Sequence, residues 1–270
     1  MKLKYLGTAA AEGFPALFCN CKYCNEARRL GGKNIRTRSQ TFINDDMLID
    51  FPADAYMHIL QHGIRGDEIK YLLITHAHSD HFNPKDLYMR GGPYAHDMPV
   101  ERLWVLCPST VYNAFDKMPD GVDVKMGEPY RTVELGRYKV TPLPARHMLE
   151  AQAFIYIVEE GDKALLYAHD TGYFYDEVFD YISRRGLVFD MVSLDCTNMD
   201  IPVGDNESHM GFPNIRRVLD RLANIGAVKE STLKYVNHFS HNGNPIHHVL
   251  EARAKEIGCQ VSYDGCEVEI

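Results

Sequence analysis

The chain has 270 residues, of which 45% are hydrophobic and 24% charged, and a formal net charge of −8. That balance suits a globular protein with a sizeable core, and the acidity argues against a long nucleic acid as main partner, because such affinity comes from clustered Lys and Arg. No apolar run approaches the ~20 residues of a membrane span, and Met1 to Gly7 is too short and too strand-like for a signal peptide, so no membrane partner and a cytoplasmic location are expected.

In chain order, Lys2 to Leu6 alternates as a first strand and ends at Gly7-Thr8-Ala9-Ala10, small residues that allow close backbone approach. Cys19, Cys21 and Cys24 follow, three of an odd seven cysteines, at a spacing that suits a metal better than a disulfide framework. A basic polar stretch then runs through Arg38. Gln40 to Ile43 and Met47 to Ile49 form a hairpin turned at Asn44-Asp45-Asp46 and closed by Asp50. Ala53 to Gln61 has helical period and stops at Gly63.

Tyr71 to Ile74 is a buried strand, followed by Thr75-His76-Ala77-His78-Ser79-Asp80-His81 and a helix starting at Pro84. Leu103 to Leu106 is a strand, and Ser109 caps a helix through about Lys117. Short strands then succeed one another at Val122 to Val124, Thr132 to Leu135, Tyr138 to Leu143, Ala153 to Val158 and Ala164 to Tyr167. Helices are predicted over Tyr175 to Arg184, Pro213 to Ala223 and Ile246 to Ile257. Between them lie strands at Phe189 to Leu194 and Leu233 to Val236, and two terminal strands close the chain. Two similar halves of this kind predict two sheets packed face to face with helices outside. No compositional break or repeat divides them, so one domain over residues 1–270 is expected.

The chemistry concentrates after the strand at 71–74. His76 and His78 lie two apart in an extended segment and point to the same side, while Asp80 and His81 follow in a turn and can face a second point nearby. One short loop can thus serve two metal ions at the carboxyl end of a strand, where open α/β sheets place their ligands. His147, Asp170 and His238 each follow an apolar strand in the same way. Singly, each suits a hydrogen-bonded structural role; in this order they form a pattern.

That pattern, H-x-H-x-D-H followed by a single His, an Asp and a final His, resembles the metallo-β-lactamase superfamily. The resemblance implies an α/β fold, a four-layer αβ/βα sandwich of two mixed sheets with helices outside. It implies one metal at His76, His78 and His147, a second at Asp80, His81 and His238, and Asp170 bridging both. Asp50 matches the family's supporting acid, which fixes the tautomer of a ligating His. A narrower resemblance covers nearly the whole chain. The three cysteines, Leu194-Asp195-Cys196-Thr197, Glu207-Ser208-His209 and His238-Phe239-Ser240-His241 are similar to the phosphonate-pathway cyclic phosphodiesterases. It implies a structural zinc at Cys19, Cys21, Cys24 and His241, closed and tetrahedral, and places His209 as general acid, with Asn206 and Glu207 as other candidates in its loop.

The expected activity is therefore that of a dinuclear metal-dependent hydrolase, a phosphodiesterase for small or cyclic phosphodiesters. Two divalent ions, zinc or manganese, would generate a bridging hydroxide and bind phosphoryl oxygens, with Asp80 and His209 as the candidate catalytic residues. A tRNA 3′-processing nuclease shares the ligand set but needs a basic arm that the sequence lacks. A lactone or thioester hydrolase has no use for the cysteine cluster, and the pyrroloquinoline-quinone biosynthesis B proteins are a non-hydrolytic alternative. A small phosphodiester substrate and a homodimeric assembly complete the expectation. His58, His62, His96, His169, His247 and His248 are taken as structural or surface residues, and Cys107, Cys196 and Cys259 as small hydrophobes.

Overall fold

A computed structural model of the chain describes residues 1–147 and 152–270. Fourteen strands are found among them, in two sheets of seven. The first sheet takes β1 (Lys2–Gly7), β2 (Gln40–Ile43), β3 (Met47–Ile49), β4 (Tyr71–Leu73), β5 (Leu103–Cys107) and β6 (Val122–Met126) in sequence order, with β14 (Glu267–Glu269) added beside β1. The second runs β13 (Gln260–Val261), β12 (Leu233–Asn237), β11 (Met191–Asp195), β10 (Lys163–Ala168), β9 (Phe154–Glu160), β8 (Tyr138–Pro144) and β7 (Val133–Leu135). Each sheet is mixed: β3 to β6 are parallel, as are β10 to β13, while the remaining pairs are antiparallel.

Alternation along each strand builds the four layers. Leu73, Tyr156, Leu165 and Tyr167 point between the sheets into one core with Tyr5, Ile49 and Tyr138. Their neighbours Leu72, Leu166 and Ala168 point outward, into separate clusters under the helices. Over the second sheet lie α5 (Asp176–Arg185), α6 (Phe212–Asn224) and α7 (His247–Lys255), which bury Phe179, Ile182, Ile215, Val218 and Leu250 against it. Fully burying such a side chain contributes about 1.5–3 kcal/mol. The first sheet is covered by shorter pieces, α2 (Ala55–Gln61), α3 (Pro84–Leu87) and α4 (Ser109–Tyr112). No helix among the described residues is long and apolar enough to cross a membrane.

Two local expectations need correction, and the terminal strands, both present, find partners that the sequence reading left open. The basic stretch after Cys21 is helical, α1 (Lys22–Leu30), with the Cys21 side chain as its N-cap. The helix at Ser109 is a single turn, and Ser109 is its first residue rather than its cap. Gln152 supplies the cap instead, since its Oε1 accepts from Ser109 N at 3.1 Å. The two terminal strands also separate, one to each sheet, so β14 returns to the sheet begun by the first half of the chain.

Close approach at Gly7 is confirmed, though its neighbour is backbone. A Cβ there would collide with the Arg38 carbonyl, where the β1–β2 register shifts. Gly7→Ala should therefore lower stability by about 1–3 kcal/mol, the usual cost of overpacking, read as a fall in melting temperature.

Candidate metal centre and active site

The ends of β3, β4, β8, β10, β11 and β12 meet where the two sheets abut. Phe154 N donates to Thr75 O at 2.8 Å, and Tyr156 OH donates to Ile74 O at 2.6 Å, so the second sheet clamps the segment leading into His76. Three of the converging residues, Asp50, Asp170 and His238, have left-handed backbone with φ of 66, 51 and 66°. Such conformations cost about 1–3 kcal/mol each for non-glycine residues and cluster where side-chain direction matters more than local comfort.

His76 Nε2 and His147 Nε2 both lie 3.0 Å from His78 Nδ1. Ligand nitrogens at about 2.0–2.1 Å from a tetrahedral ion are about 3.3 Å apart, so these three could share one ion. Burial pushes the imidazoles of His76 and His147 below their ordinary pKa, which keeps them neutral and able to donate lone pairs. The second group brings His81 Nε2 within 3.3 Å of His238 Nε2 and 3.4 Å of Asp80 Oδ2. Asp170 lies between the two groups. Its Oδ2 is 2.5 Å from His81 Nε2 and 2.9 Å from His238 Nε2, and its Oδ1 is 3.7 Å from His147 Nε2. Yet Oδ2 is buried without a hydrogen bond among the described residues. Lone pairs from a carboxylate and two imidazoles that crowd together with no proton aligned between them fit a shared cation.

The outer nitrogens set the tautomers. His81 Nδ1 donates to Asp50 Oδ2 at 2.6 Å, and Asp50 is held in turn by Thr75 N and Oγ1 at 2.8 and 2.9 Å. His238 Nδ1 donates to Thr197 Oγ1 at 2.8 Å, whose hydroxyl donates to Asp195 Oδ2 at 3.0 Å. His147 Nδ1 donates to Ser208 O at 3.2 Å. Each bond leaves Nε2 as the lone-pair atom facing the centre. Asp50 thus takes the supporting place expected of it.

Sequence reasoning quoted Asp195 within a motif but gave it no role; it is the fully buried last residue of β11. It accepts from Asp170 N, Thr197 N and Met210 N at 3.1, 3.1 and 2.9 Å, and from His209 Nδ1 at 3.1 Å. The signal was present, since Asp195 ends an apolar strand just as Asp50 and Asp170 follow theirs. Asp195 also holds His209 against the centre. Its ring stacks over His238 with centroids 5.8 Å apart, and Nδ1 lies 3.6 Å from Asp170 Oδ1. Burial opposes a charge there, but Asp195 outweighs it and raises the pKa of His209 to about 9. Neither Asn206 nor Glu207 reaches the carboxylates in this way.

Away from this centre, Cys19, Cys21, Cys24 and His241 bring four ligand atoms within 4.8 Å of one another. The Cys21 and Cys24 sulfurs are 3.8 and 3.7 Å from His241 Nδ1, close to the edge of a tetrahedron with Zn–S about 2.3 Å. Glu12 Oε1 accepts from Ser240 Oγ at 2.6 Å and His241 N at 3.1 Å, bracing the turn between His238 and His241. His169 is structural as expected, buried between Ser193 Oγ at 2.7 Å and Asn237 Nδ2 at 3.1 Å. Cys107, Cys196 and Cys259 are buried among apolar residues, and so is Cys266.

The chain belongs to the β-lactamase superfamily: residues 48–238 match the profile described as the beta-lactamase superfamily domain. Together with two seven-stranded sheets under helices, this makes it a hydrolase of the metallo-β-lactamase fold. Among solved structures it is similar to a diphosphatase from the PhnP family, with TM-score 0.75 and 21% identity over 100% of this chain and 97% of that one. Zn²⁺-bound PqqB from Methylobacterium extorquens gives 0.74 and 16% over 100% of both chains. The short form of human tRNase Z gives 0.64 and 14% over 100% and 99%. These likenesses show a shared fold. A comparison with curated protein sequences gives no match.

Proposed function

We propose that the protein is a dinuclear metal-dependent phosphodiesterase acting on small or cyclic phosphodiesters. His76, His78 and His147 would hold one ion and Asp80, His81 and His238 the second, with Asp170 within reach of both sets. Divalent ions there, zinc or manganese, would supply Lewis acidity toward phosphoryl oxygens and lower the pKa of a bound water. Cys19, Cys21, Cys24 and His241 hold a structural zinc. The observation that carries the reading is the position of His209, whose Nδ1 is 3.1 Å from Asp195 and 3.6 Å from the carboxylate shared by both donor groups. An imidazole beside the centre suits a reaction whose leaving group is a poor alkoxide, because it can deliver a proton as the P–O bond breaks. Asp195 keeps the ring oriented. Asp50 and Thr197 keep the ligating rings from turning.

The test is a panel of cyclic and linear phosphodiesters, lactones and thioesters on metal-reconstituted protein. Turnover confined to the lactones and thioesters would overturn the phosphodiesterase reading. Within it, His209→Ala should keep both active-site metals and lose about 10²–10⁴ in rate on an alkyl phosphodiester, the usual size of acid catalysis. On a nitrophenyl ester, whose leaving group barely needs a proton, the loss should be far smaller. Equal losses on both would remove His209 from that role.

A further inference from the structure

We infer that Arg146 is a positioning residue that pins the loop carrying His209 over the carboxylates of the centre, and so controls delivery of the proton without touching substrate. The inference rests on the phosphodiesterase reading, because Arg146 acts through His209.

Arg146 directly precedes His147, two residues beyond the end of β8 and at a bend in the chain. While His147 faces the metal-ligating group, Arg146 turns toward two neighbouring loops. Its backbone N donates to Thr171 Oγ1 at 3.0 Å, and its carbonyl accepts from Gly172 N at 2.8 Å, which fastens it to the loop after β10. The guanidinium then reaches across. Nε donates to Tyr173 O at 2.9 Å, Nη1 donates to Asn206 Oδ1 at 3.1 Å, and the plane lies 4.0 Å from the Tyr175 ring centroid.

The contact at Asn206 begins a run of four. Glu207 rests on Gly172, where a Cβ would collide with the Glu207 carbonyl. Ser208 O accepts from His147 Nδ1, and His209 meets Asp195. Four consecutive residues thus lie on Arg146, Gly172, His147 and Asp195 in turn. Side chains rather than backbone ladders hold this segment, since its own main-chain bonding amounts to a turn from Glu207 N to Gly204 O at 3.4 Å.

A second arginine holds the loop from the other side. Arg217 pairs with Asp205 through two bonds of 2.5 and 2.9 Å, but their side chains are 53% and 43% exposed. Solvent screens such a pair, and it adds little to position. The bond to Asn206 is exposed as well, but Arg146 itself is half-buried, and its planar fork fixes two acceptors at once with the Tyr175 ring stacked behind it. Lysine, a single point charge, cannot reproduce that geometry.

The experiment compares Arg146→Met, Arg146→Lys and Asn206→Ala with the parent, by amide hydrogen exchange over residues 204–210, metal content, and kcat and KM on alkyl and nitrophenyl phosphodiesters. Arg146→Met should speed exchange about tenfold or more at the two hydrogen-bonded amides of the loop, Glu207 N and Met210 N. It should keep the metals and lower kcat about tenfold or more on the alkyl ester, with little change on the nitrophenyl ester or in either KM. Combined with His209→Ala, it should add no further loss on the alkyl ester, because both changes remove one function. Asn206→Ala, which removes only one of the bonds, should give the same pattern at smaller size, and Arg146→Lys should fall between parent and Met. Unchanged exchange in Arg146→Met overturns the clamp, with or without phosphodiester turnover. A rise in KM on both esters with the loop still protected also overturns it, making Arg146 a substrate-binding cation. Absence of phosphodiester hydrolysis in the parent defeats the functional reading alone, and the exchange result still decides the clamp.

Discussion

Asp170→Ala should strip the centre of metal and abolish hydrolysis while the fold survives. The carboxylate stands 2.5 and 2.9 Å from the nitrogens of His81 and His238 and 3.7 Å from that of His147, within reach of both donor sets. Without it, each set keeps three donors, but the charge that offsets two nearby dications is gone. Metal affinity should fall by at least about two orders of magnitude, beyond the 10–100-fold seen when only a supporting partner is lost. The fold should tolerate the change, because Asp170 Oδ2 makes no hydrogen bond among the described residues and Asp195 remains to hold the backbone N of residue 170. The measurement is metal stoichiometry beside circular dichroism. Retention of both ions would show that Asp170 does not bridge.

Cys21→Ser should remove one zinc and lower the melting temperature, leaving the two active-site ions in place. Zinc binding contributes about 10–16 kcal/mol to the folding of isolated zinc-finger peptides. Here that is an upper bound, since the cluster of Ala9, Phe14, Ala27 and Ile246 around the cysteines packs without help. Activity should fall in part, because His241 lies three residues beyond His238, and Glu12 braces the turn between them. If the variant keeps every metal and melts like the parent, the cysteines are packed thiols and no zinc site exists.

Much of the centre was legible because of one repeated device: an apolar strand that stops, followed at once by His or Asp. His76 and His78 after β4, His147 after β8, Asp170 after β10 and His238 after β12 all follow it, and the two-sheet architecture came from the same strands. What stayed hidden depends on partners distant in sequence. Asp195 draws its bonds from four residues, Asp170, Thr197, His209 and Met210, on both sides of a loop that has no periodic pattern. Arg146 looks like any arginine until three loops are folded around it. Helix α1 escaped because it buries only Cys24 and Ala27, too small an apolar face to show through Lys22, Glu26, Arg28 and Arg29. The length of α4 was overestimated because Phe115 leaves the helical path to pack in the core. No local signal marks where β14 goes, since pairing between strands so far apart is decided by the assembled sheet.

That last pairing bears on how the chain is made. During synthesis β1 is made some forty residues before β2, and its other side must wait for Glu267 to Glu269. Until β14 is made, the first sheet therefore carries an open edge, the kind of surface on which nascent chains pair with one another. Lys2 and Lys4 stand on that edge, and in the finished protein both bind Glu267, at 3.0 and 3.1 Å. Lysine on an open edge discourages a neighbouring chain from adding a strand there, and β14 closes that edge through its backbone register, Lys2 against Glu269, Leu3 against Val268 and Lys4 against Glu267.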